Sequence, residues 1–434
     1  MISIPPLGRP RRVYFQTFGC RANQYDTERM RQLLELRGCE TVGDLALADA
    51  VVVNSCTVTQ GADSELRRFV RAVQRRCGRP VPVVVAGCAA AVGGAAIREL
   101  RGVTSVVPGQ DAEAVANSLG AVARGAAESG SGPLLLQRAA RGTRAWLKIQ
   151  DGCDLNCSYC VIRVARGRNR SREPEEIVQE ARQLAVHHPE ISLTGIHIGL
   201  YGKDLRPRHS IASLVERLLE QVDGVRFRIG SLECNQLDDR LIALLEDSGG
   251  RLAPHLHVPL QSGSDRVLRS MRRAYLADRY RERVIRLVER VRPLGLGTDV
   301  IVGFPGESEE DHHRTVELIE ALPFTYVHVF PYSERNGTDA ERLSAPVPPR
   351  LKAERSREIR GIVREKSEAH RKERIGSTAW VVLEGEANEV AVTGDYLKMP
   401  AQHSLRESGP RLQPARIEAD GQGGLVAAQS NGSS

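Results

Sequence analysis

Residues 150–160 read Gln150-Asp151-Gly152-Cys153-Asp154-Leu155-Asn156-Cys157-Ser158-Tyr159-Cys160, which spaces three cysteines as C-x3-C-x2-C. On a loop this short, three thiolates can reach one inorganic site. An iron–sulfur cube held wholly by protein takes four cysteine thiolates, so a three-cysteine loop leaves one iron open to another ligand. The alternative is a zinc site of three thiolates and a distant histidine. Zinc loops usually carry C-x2-C pairs, so the spacing favours the iron–sulfur site.

At these residues the chain resembles the radical S-adenosylmethionine enzymes, whose three-cysteine loop follows the first strand of a partial α/β barrel. The resemblance implies that Cys153, Cys157 and Cys160 hold a 4Fe-4S cluster whose open iron binds S-adenosylmethionine. It also implies radical chemistry on an unactivated C–H bond, which side chains alone do not supply. The neighbouring stretches 147–151 and 166–172 narrow the resemblance to the methylthiotransferases.

Length and composition indicate a multidomain protein with a basic surface. The 434 residues suffice for two or three domains without disulfide cross-links. The formal charge of +7 and the pI near 9.0 favour a polyanionic partner. Residues 1–12 have no apolar stretch typical of a signal peptide, and no apolar run is long enough to span a membrane. We therefore expect a cytoplasmic protein whose nine cysteines are reduced.

Three further cysteines, Cys20, Cys56 and Cys88, each end an apolar run near the N-terminus. Helix-like segments separate these runs, and they lie at 27–37, 64–76 and 94–101. Alternating strands and helices predict a parallel sheet whose strands all end at one edge, where ligands bind. We therefore predict a second three-cysteine cluster. The alternative is that all three are small buried core residues.

The other three cysteines fit structural roles. Cys39 and Cys77 each follow a predicted helix, which puts them at the opposite edge of the sheet. Cys234 lies within Ser231-Leu232-Glu233-Cys234 and is predicted to line the core or a pocket.

After the cysteine loop the alternation of strands and helices resumes. The predicted strands are 145–150, 190–198, 225–232, 255–260, 297–304 and 326–332, and the predicted helices are 175–186, 211–222, 238–247, 277–291 and 309–322. Six β/α units are fewer than the eight of a closed barrel, so we predict an open barrel with its active face at the carboxyl ends of the strands. By resemblance to the family, Ser231, Glu233, Gln261 and Gly303 at those ends contact S-adenosylmethionine. The alternative is that they are ordinary caps and turns.

Five arginines follow the cysteine loop closely, and they are Arg163, Arg166, Arg168, Arg170 and Arg172. This run predicts phosphate contacts with RNA, with a solvated charged surface as the alternative. Residues 351–374 are helix-like, and 377–384 and 389–399 read as strands. The C-terminal stretch resembles the TRAM module, a small RNA-binding β-barrel; a purely structural barrel is the alternative.

The predicted fold class is therefore α/β with three folded parts. An N-terminal parallel α/β sheet domain with the auxiliary cluster spans 1–120, and a linker spans 121–142. A central partial (β/α)6 radical S-adenosylmethionine barrel spans 143–345, and a helical linker spans 346–375. A small TRAM-like β-barrel with a polar tail spans 376–434.

Within the methylthiotransferases, the stretches 147–153, 193–205 and 255–264 resemble the branch that acts on threonylcarbamoyladenosine in tRNA. The resemblance implies that Cys20, Cys56 and Cys88 hold an auxiliary 4Fe-4S cluster, and that S-adenosylmethionine donates both a methyl group and the radical. The product would carry a methylthio group at C2 of the adenine beside the anticodon. No catalytic residue is predicted beyond the cluster ligands.

The implied partners are the tRNA anticodon loop, an electron donor and a sulfur source, without a membrane. Three alternatives stay open: the same chemistry on isopentenyladenosine in tRNA, the same chemistry on a ribosomal protein aspartate, and a non-enzymatic RNA-binding protein stabilised by metal.

Overall fold

A computed structural model describes residues 10–56, 60–121, 134–137, 139, 142–407, 409, 411–421 and 423–430. The described chain forms two compact units. The first contains residues up to 137 together with 151–155 and 160–170, and the second contains 138–150, 156–159 and the chain from 171 onward. Much of the predicted 121–142 linker and the end of the polar tail lie outside the described residues. In the described part of the chain, no helix is both long and apolar enough to cross a membrane.

The first unit is built on a five-stranded parallel sheet with the strand order β2-β1-β3-β4-β5. The strands are β1 (Arg12–Thr17), β2 (Glu40–Val42), β3 (Ala50–Ser55), β4 (Val83–Gly87) and β5 (Val103–Pro108). The helices are α1 (Arg21–Leu36), α2 (Gln60–Cys77), α3 (Cys88–Arg98), α4 (Ala112–Ser118) and α5 (Ile162–Arg166). The sequence patterns missed the short edge strand β2, because three residues carry too little periodicity.

The central strands β3 and β4 are buried on both faces. Val52 and Val84 belong to one hydrophobic core, and their neighbours Val51 and Val83 belong to the core on the opposite face. Alternation of this kind follows from the two-residue period of a strand. A continuous run of β-branched residues is therefore suited to a parallel sheet covered by helices on both sides.

The second unit contains six parallel strands in two three-stranded sheets, ordered β10-β9-β6 and β11-β12-β13. These strands are β6 (Arg144–Lys148), β9 (Glu190–Thr194), β10 (Arg226–Ile229), β11 (His255–His257), β12 (Gly295–Val302) and β13 (Tyr326–Pro331). Two short strands, β7 (Gln150–Asp151) and β8 (Arg170–Ser171), precede and follow the cysteine loop and α5. An isolated bridge between Ser231 and His257 joins the two sheets, and another pairs Phe227 with Leu252 just before β11. The predicted partial (β/α)6 barrel is confirmed.

Most helices of the second unit lie between these strands along the chain, as predicted. The helices of this unit are α6 (Pro174–Ala185), α7 (Ile211–Gln221), α8 (Asp239–Asp247), α9 (Asp265–Ser270), α10 (Ala277–Arg290), α11 (Glu309–Ala321), α12 (Pro349–Glu373) and α13 (His403–Arg406). The sequence patterns did not predict α9, which is short, but it positions a buried arginine that is described below.

The C-terminal sheet is antiparallel, with the order β16-β15-β14-β17-β18. Its strands are β14 (Thr378–Glu384), β15 (Val390–Thr393), β16 (Lys398–Pro400), β17 (Leu412–Ala419) and β18 (Leu425–Gln429). An isolated bridge between Ala401 and Ala427 joins its two edges, so the sheet curls as a small β-barrel does.

The single strand predicted at 389–399 was wrong, because the chain turns back in its middle. The Thr393 N–H donates to the Leu397 carbonyl at 3.0 Å across this turn, and Tyr396 has a φ of 71°. The Thr393 hydroxyl also accepts a hydrogen bond from the Leu397 N–H at 2.9 Å. The alternation of apolar and polar residues continues through the turn, so the sequence pattern did not reveal the turn.

A buried ionic network joins the barrel to the C-terminal sheet within the second unit. Glu190, which is fully buried at the start of β9, accepts hydrogen bonds from Arg226 Nε at 2.6 Å and Arg228 Nε at 2.8 Å. Arg226 also donates to the Trp380 carbonyl at 2.7 Å, and Arg228 donates to the Gly394 carbonyl at 2.8 Å. Burial alone would raise the pKa of Glu190, but the two guanidinium groups outweigh it and hold the pKa well below its usual range.

We predict that Glu190→Gln destabilises the protein by about 3–5 kcal/mol, because it leaves buried guanidinium groups without their counter-charge. Urea denaturation followed by circular dichroism measures this loss. The matched control is Glu175→Gln, which removes an exposed carboxylate from its ion pair with Arg217 and should cost no more than about 1 kcal/mol. Equal losses in the two variants would contradict the prediction.

Candidate metal and cofactor site

Cys20, Cys56 and Cys88 follow three neighbouring strands of the first unit, as the alternation predicts. Ser55 at the end of β3 is in register with Gly87 at the end of β4. Cys20 caps the N-terminus of α1, and Cys88 is the first residue of α3. Two of the three cysteines therefore lie at helix N-termini.

The backbone just before Cys20 lies very close to Cys56. A Cβ added to Gly19 would lie 2.5 Å from the Cys56 Cβ and 3.2 Å from its Sγ. Gly19 also has a φ of 116°, which side chains rarely adopt. Glycine is thus required at this position for the two cysteine-bearing segments to meet.

A buried arginine reaches the third cysteine of this set. Arg166 Nε donates a hydrogen bond to Cys88 Sγ at 3.1 Å, and Arg166 Nη1 donates to Asp26 at 2.8 Å. Burial raises the pKa of the Cys88 thiol, and the charge of Arg166 offsets part of that rise. Metal binding deprotonates a cysteine, so a cation beside the sulfur suits a ligand of this type.

This contact corrects the prediction that the whole arginine run binds phosphate. The side chain of Arg166 is fully buried and ion-paired, and Arg172 donates to the buried Glu180 at 2.7 Å. Arg163, Arg168 and Arg170 are exposed. A count of charges in the sequence could not separate these two groups, because the separation depends on which carboxylates the fold brings beside each arginine.

The remaining cysteines lie elsewhere. Cys39 is part of a hydrophobic core at the far end of α1, and Cys77, at the end of α2, has its Sγ 3.2 Å from the Leu45 carbonyl oxygen. Cys234 is fully buried, and burial raises the pKa of its thiol to about 12. A thiol held neutral in this way is suited to packing.

The cysteine loop that begins after Asp151 depends on a glycine at its start. Gly152 has a φ of 71°, and a Cβ there would lie 1.9 Å from the Arg168 carbonyl oxygen. The Cys153 N–H donates to the Gly167 carbonyl at 3.1 Å. The two segments of the first unit therefore approach too closely for any other residue.

A second buried arginine, Arg273, contacts the middle cysteine of the loop. Arg273 Nη1 donates to Cys157 Sγ at 3.3 Å, and Arg273 Nη2 forms an ion pair with the buried Glu233. Arg272 ends α9 with a φ of 57°, and the Arg273 N–H then donates to the Leu268 carbonyl at 2.9 Å. This left-handed helix end directs Arg273 toward the site.

Sequence reasoning missed Arg273, because no motif distinguishes it from its neighbours. Burial opposes its charged form, but Tyr275, Tyr159, Glu233 and Cys157 outweigh that effect and raise the pKa of Arg273. Charge-assisted bonds to a sulfur and to a carboxylate make it a link between the cysteine loop and Glu233.

The four predicted contacts for S-adenosylmethionine follow three adjacent strands. Ser231 and Glu233 follow β10, and Ser231 bridges to His257 at the end of β11. Gln261 has a φ of 69°, and its carbonyl accepts the Ile301 N–H at 2.9 Å. For a residue with a side chain, this backbone conformation is uncommon and is often found at functional sites.

Gly303, after β12, has a structural reason to be glycine. A Cβ there would lie 2.3 Å from Lys352 Cγ, and the Gly303 N–H donates to Glu307 at 2.9 Å. Its φ of 72° also favours glycine.

A hydrogen-bonded cluster lies beside these residues on β11, β12 and β13. Asp299 Oδ1 accepts from His257 Nε2 at 3.0 Å and from His328 Nδ1 at 3.2 Å. Burial would raise the pKa of Asp299, but these two hydrogen bonds lower it to about 2. Tyr326 is hydrogen-bonded to the other nitrogen of His257 at 3.2 Å. One choice of tautomers satisfies all these groups, so the cluster is explained as a polar network.

The chemistry of the cysteines and their neighbours fits iron–sulfur ligation. Within the first unit a buried arginine donates to the Cys88 sulfur, and within the second unit another donates to the Cys157 sulfur. Hydrogen bonds to sulfur ligands are a recurring feature of iron–sulfur proteins. The polar side chains Glu233 and Gln261 at the strand ends fit an amino-acid-like cofactor with charged groups.

Two family models match the chain. The Radical SAM superfamily matches residues 147–319, and the Uncharacterized protein family UPF0004 matches residues 12–109. The first match covers most of the barrel, and the second covers most of the parallel sheet of the first unit.

Relatives of assigned activity align with most of the chain. The threonylcarbamoyladenosine tRNA methylthiotransferase MtaB of Bacillus subtilis is 39% identical over 79% of this chain and 78% of that protein. The MtaB of Aquifex aeolicus is 36% identical over 82% of this chain and 88% of that protein. The tRNA-2-methylthio-N(6)-dimethylallyladenosine synthase of Bacillus subtilis is 32% identical over 88% of this chain and 77% of that protein.

A solved structure shares the fold. The radical S-adenosylmethionine methyltransferase TsrM of Kitasatospora setae, determined with cobalamin and a [4Fe-4S] cluster bound, has a TM-score of 0.54 and 17% identity. The similarity covers 74% of this chain and 75% of that one.

We predict that Gly152→Ala removes about half of the bound iron from the reconstituted protein, because the added Cβ displaces the start of the cysteine loop. Iron analysis after anaerobic reconstitution measures the loss. Gly224→Ala is the matched control, since Gly224 also has a positive φ of 72° but open space around it. It should keep its iron, and equal iron loss in both variants would mean that backbone strain and not contact with Arg168 is responsible.

Proposed function

This chain belongs to the radical S-adenosylmethionine methylthiotransferase family, and from that premise we propose that it adds a methylthio group to C2 of N6-threonylcarbamoyladenosine beside the anticodon of tRNA. The family uses S-adenosylmethionine and [4Fe-4S] clusters. The observation that carries the choice of substrate is the 39% identity to a threonylcarbamoyladenosine enzyme, against 32% to a dimethylallyladenosine enzyme from the same organism. Isopentenyladenosine in tRNA is therefore the second candidate substrate.

We propose that Cys153, Cys157 and Cys160 hold the radical-generating cluster. When bound, this cluster and S-adenosylmethionine supply the one-electron chemistry that breaks an unactivated C–H bond. Arg273 would fix the Cys157 sulfur, to which it donates at 3.3 Å, and would hold Glu233 in its ion pair. Glu233 would then face the cofactor in one fixed orientation, which is how rigid surroundings favour a productive geometry.

The proposed contacts for S-adenosylmethionine are Ser231, Glu233, Gln261 and Gly303. A carboxylate such as Glu233 suits the amino group of the cofactor, and the hydroxyl and amide of Ser231 and Gln261 suit its ribose and adenine. Gly303 would contact the cofactor only through its backbone. What supports the set is its position at the carboxyl ends of adjacent parallel strands, where ligands of such barrels bind.

We propose that Cys20, Cys56 and Cys88 hold the auxiliary cluster, which supplies or carries the sulfur. The common sheet edge, the two helix N-termini and the bond from Arg166 support this assignment. The reaction also requires an electron donor and a sulfur source as partners. A tRNA substrate implies that the protein works in the cytoplasm.

For tRNA binding we propose contacts from the exposed arginines Arg163, Arg168 and Arg170 and from the C-terminal sheet. Trp380 on β14 is half exposed and offers an aromatic face on which an unpaired base can stack. The target adenine must leave its stack to present C2, which an anticodon loop permits at lower cost than a duplex.

The substrate is tested by mass spectrometry of nucleosides from bulk tRNA of a deletion strain and of the same strain complemented with the gene. The expected result is loss of 2-methylthio-threonylcarbamoyladenosine with accumulation of its unthiolated precursor. Loss of the isopentenyl counterpart instead would identify the second candidate. An unchanged nucleoside profile, with methylthiolation missing from a ribosomal protein aspartate, would overturn the assignment to tRNA.

The two-cluster assignment predicts different defects for two cysteine variants. Cys157→Ala should abolish cleavage of S-adenosylmethionine and keep about half of the iron, whereas Cys56→Ala should keep cleavage but form no methylthio product. Iron analysis and chromatography of the cleaved cofactor measure both. Cys77→Ala, at the opposite end of the sheet, is the control and should keep full iron and product. Zinc in place of iron in the anaerobically purified protein would instead support a non-enzymatic metal-stabilised binder.

A further inference from the structure

The guanidinium group of Arg166 donates to four side chains of the first unit. Its Nε donates to Cys88 Sγ at 3.1 Å, its Nη1 donates to Asp26 at 2.8 Å and to Asp151 at 3.2 Å, and its Nη2 donates to Asn23 Oδ1. The side chain has no solvent exposure, and the Asp26 side chain is 1% exposed. All three nitrogens of the guanidinium group donate hydrogen bonds, so its orientation is fixed.

Asn23 extends this arrangement to the other two cysteines. Its Nδ2 donates to the carbonyls of Phe18 and Ser55, both at 3.1 Å, and these residues lead directly into Gly19-Cys20 and Cys56. Cys20 Sγ lies 3.6 Å from Asn23 Oδ1. Through Asn23, the Asn23–Arg166 pair thus binds the backbone segments that lead into Cys20 and Cys56. Through Arg166, the pair contacts the sulfur of Cys88.

The Cys88 sulfur serves as an acceptor for this buried group. Two carboxylates neutralise the charge of Arg166, and its buried Nε–H needs an acceptor as well. That acceptor is the sulfur of Cys88, which is the first residue of α3. A cationic donor to a ligand sulfur stabilises the more negative, reduced state of an iron–sulfur cluster and so raises its reduction potential.

We propose that Arg166 is a positioning residue of the auxiliary cluster that sets its reduction potential through the hydrogen bond to the Cys88 sulfur. The proposal rests on the proposed function, in which Cys20, Cys56 and Cys88 hold that cluster. Through Asp151, which directly precedes Gly152-Cys153, the same guanidinium also holds the start of the radical-cluster loop. Within the first unit, Arg166 therefore connects Cys88 with the segment that leads into Cys153.

The experiment isolates the auxiliary cluster in the full chain by replacing Cys153, Cys157 and Cys160 with alanine. Arg166→Gln and Arg166→Lys are introduced into this background, and the midpoint potential is measured by redox titration followed by electron paramagnetic resonance. Arg166→Gln should keep the iron and shift the midpoint to a more negative potential, because both the charge and the donor are lost. Arg166→Lys should shift it less, since a lysine keeps the charge between the carboxylates.

Arg98→Gln is the matched control, because it removes an exposed arginine from the other end of α3 and should leave the potential unchanged. If Arg166→Gln does not fold, Arg166→Lys alone decides, and an unchanged potential in it overturns the proposal. Unchanged potentials in both variants, with the cluster intact, also overturn it. If the background with three alanines binds no iron at all, the proposed auxiliary cluster has failed, which is a distinct result.

Discussion

The parallel alignment of β1, β3 and β4 is the constraint on which the chemistry of the first unit depends. Neighbouring parallel strands must end at one edge, so cysteines that are more than thirty residues apart in the chain are brought to the same place. The glycine before Cys20 then lets the backbone approach Cys56. Cysteines that are distant in sequence thus meet because of a rule of sheet topology.

Buried arginines repeatedly connect segments that are distant in sequence. Arg166 links Cys88 with Asp151, Arg273 links Cys157 with Glu233, and Arg226 links Glu190 with the C-terminal sheet. A buried charge without a partner is strongly destabilising, so each arginine and its carboxylate require one another. Arginine suits these positions because its planar group donates in several fixed directions at once. The resulting links give each site one defined arrangement.

Local sequence patterns predicted much of the fold, but they did not reveal hydrogen-bond and ion-pair partners that are distant in sequence. The six barrel strands and the strand ends at Cys20, Cys56 and Cys88 follow from periodicity and from the rules of parallel sheets. The turn near Tyr396 was missed because apolar alternation continues across it. Arg166 was taken for a phosphate contact and Arg273 was overlooked, since burial and ion pairing depend on carboxylates that only the folded chain brings close.

The central claim is that two sets of three cysteines hold two separate iron–sulfur clusters. A crystal structure of the anaerobically reconstituted protein, with anomalous scattering recorded at the iron edge, tests it most directly. The account predicts two iron clusters, one bound by Cys20, Cys56 and Cys88 and the other by the cysteines of the 153–160 loop. A single cluster, or metal bound at Cys39 or Cys77, would contradict it.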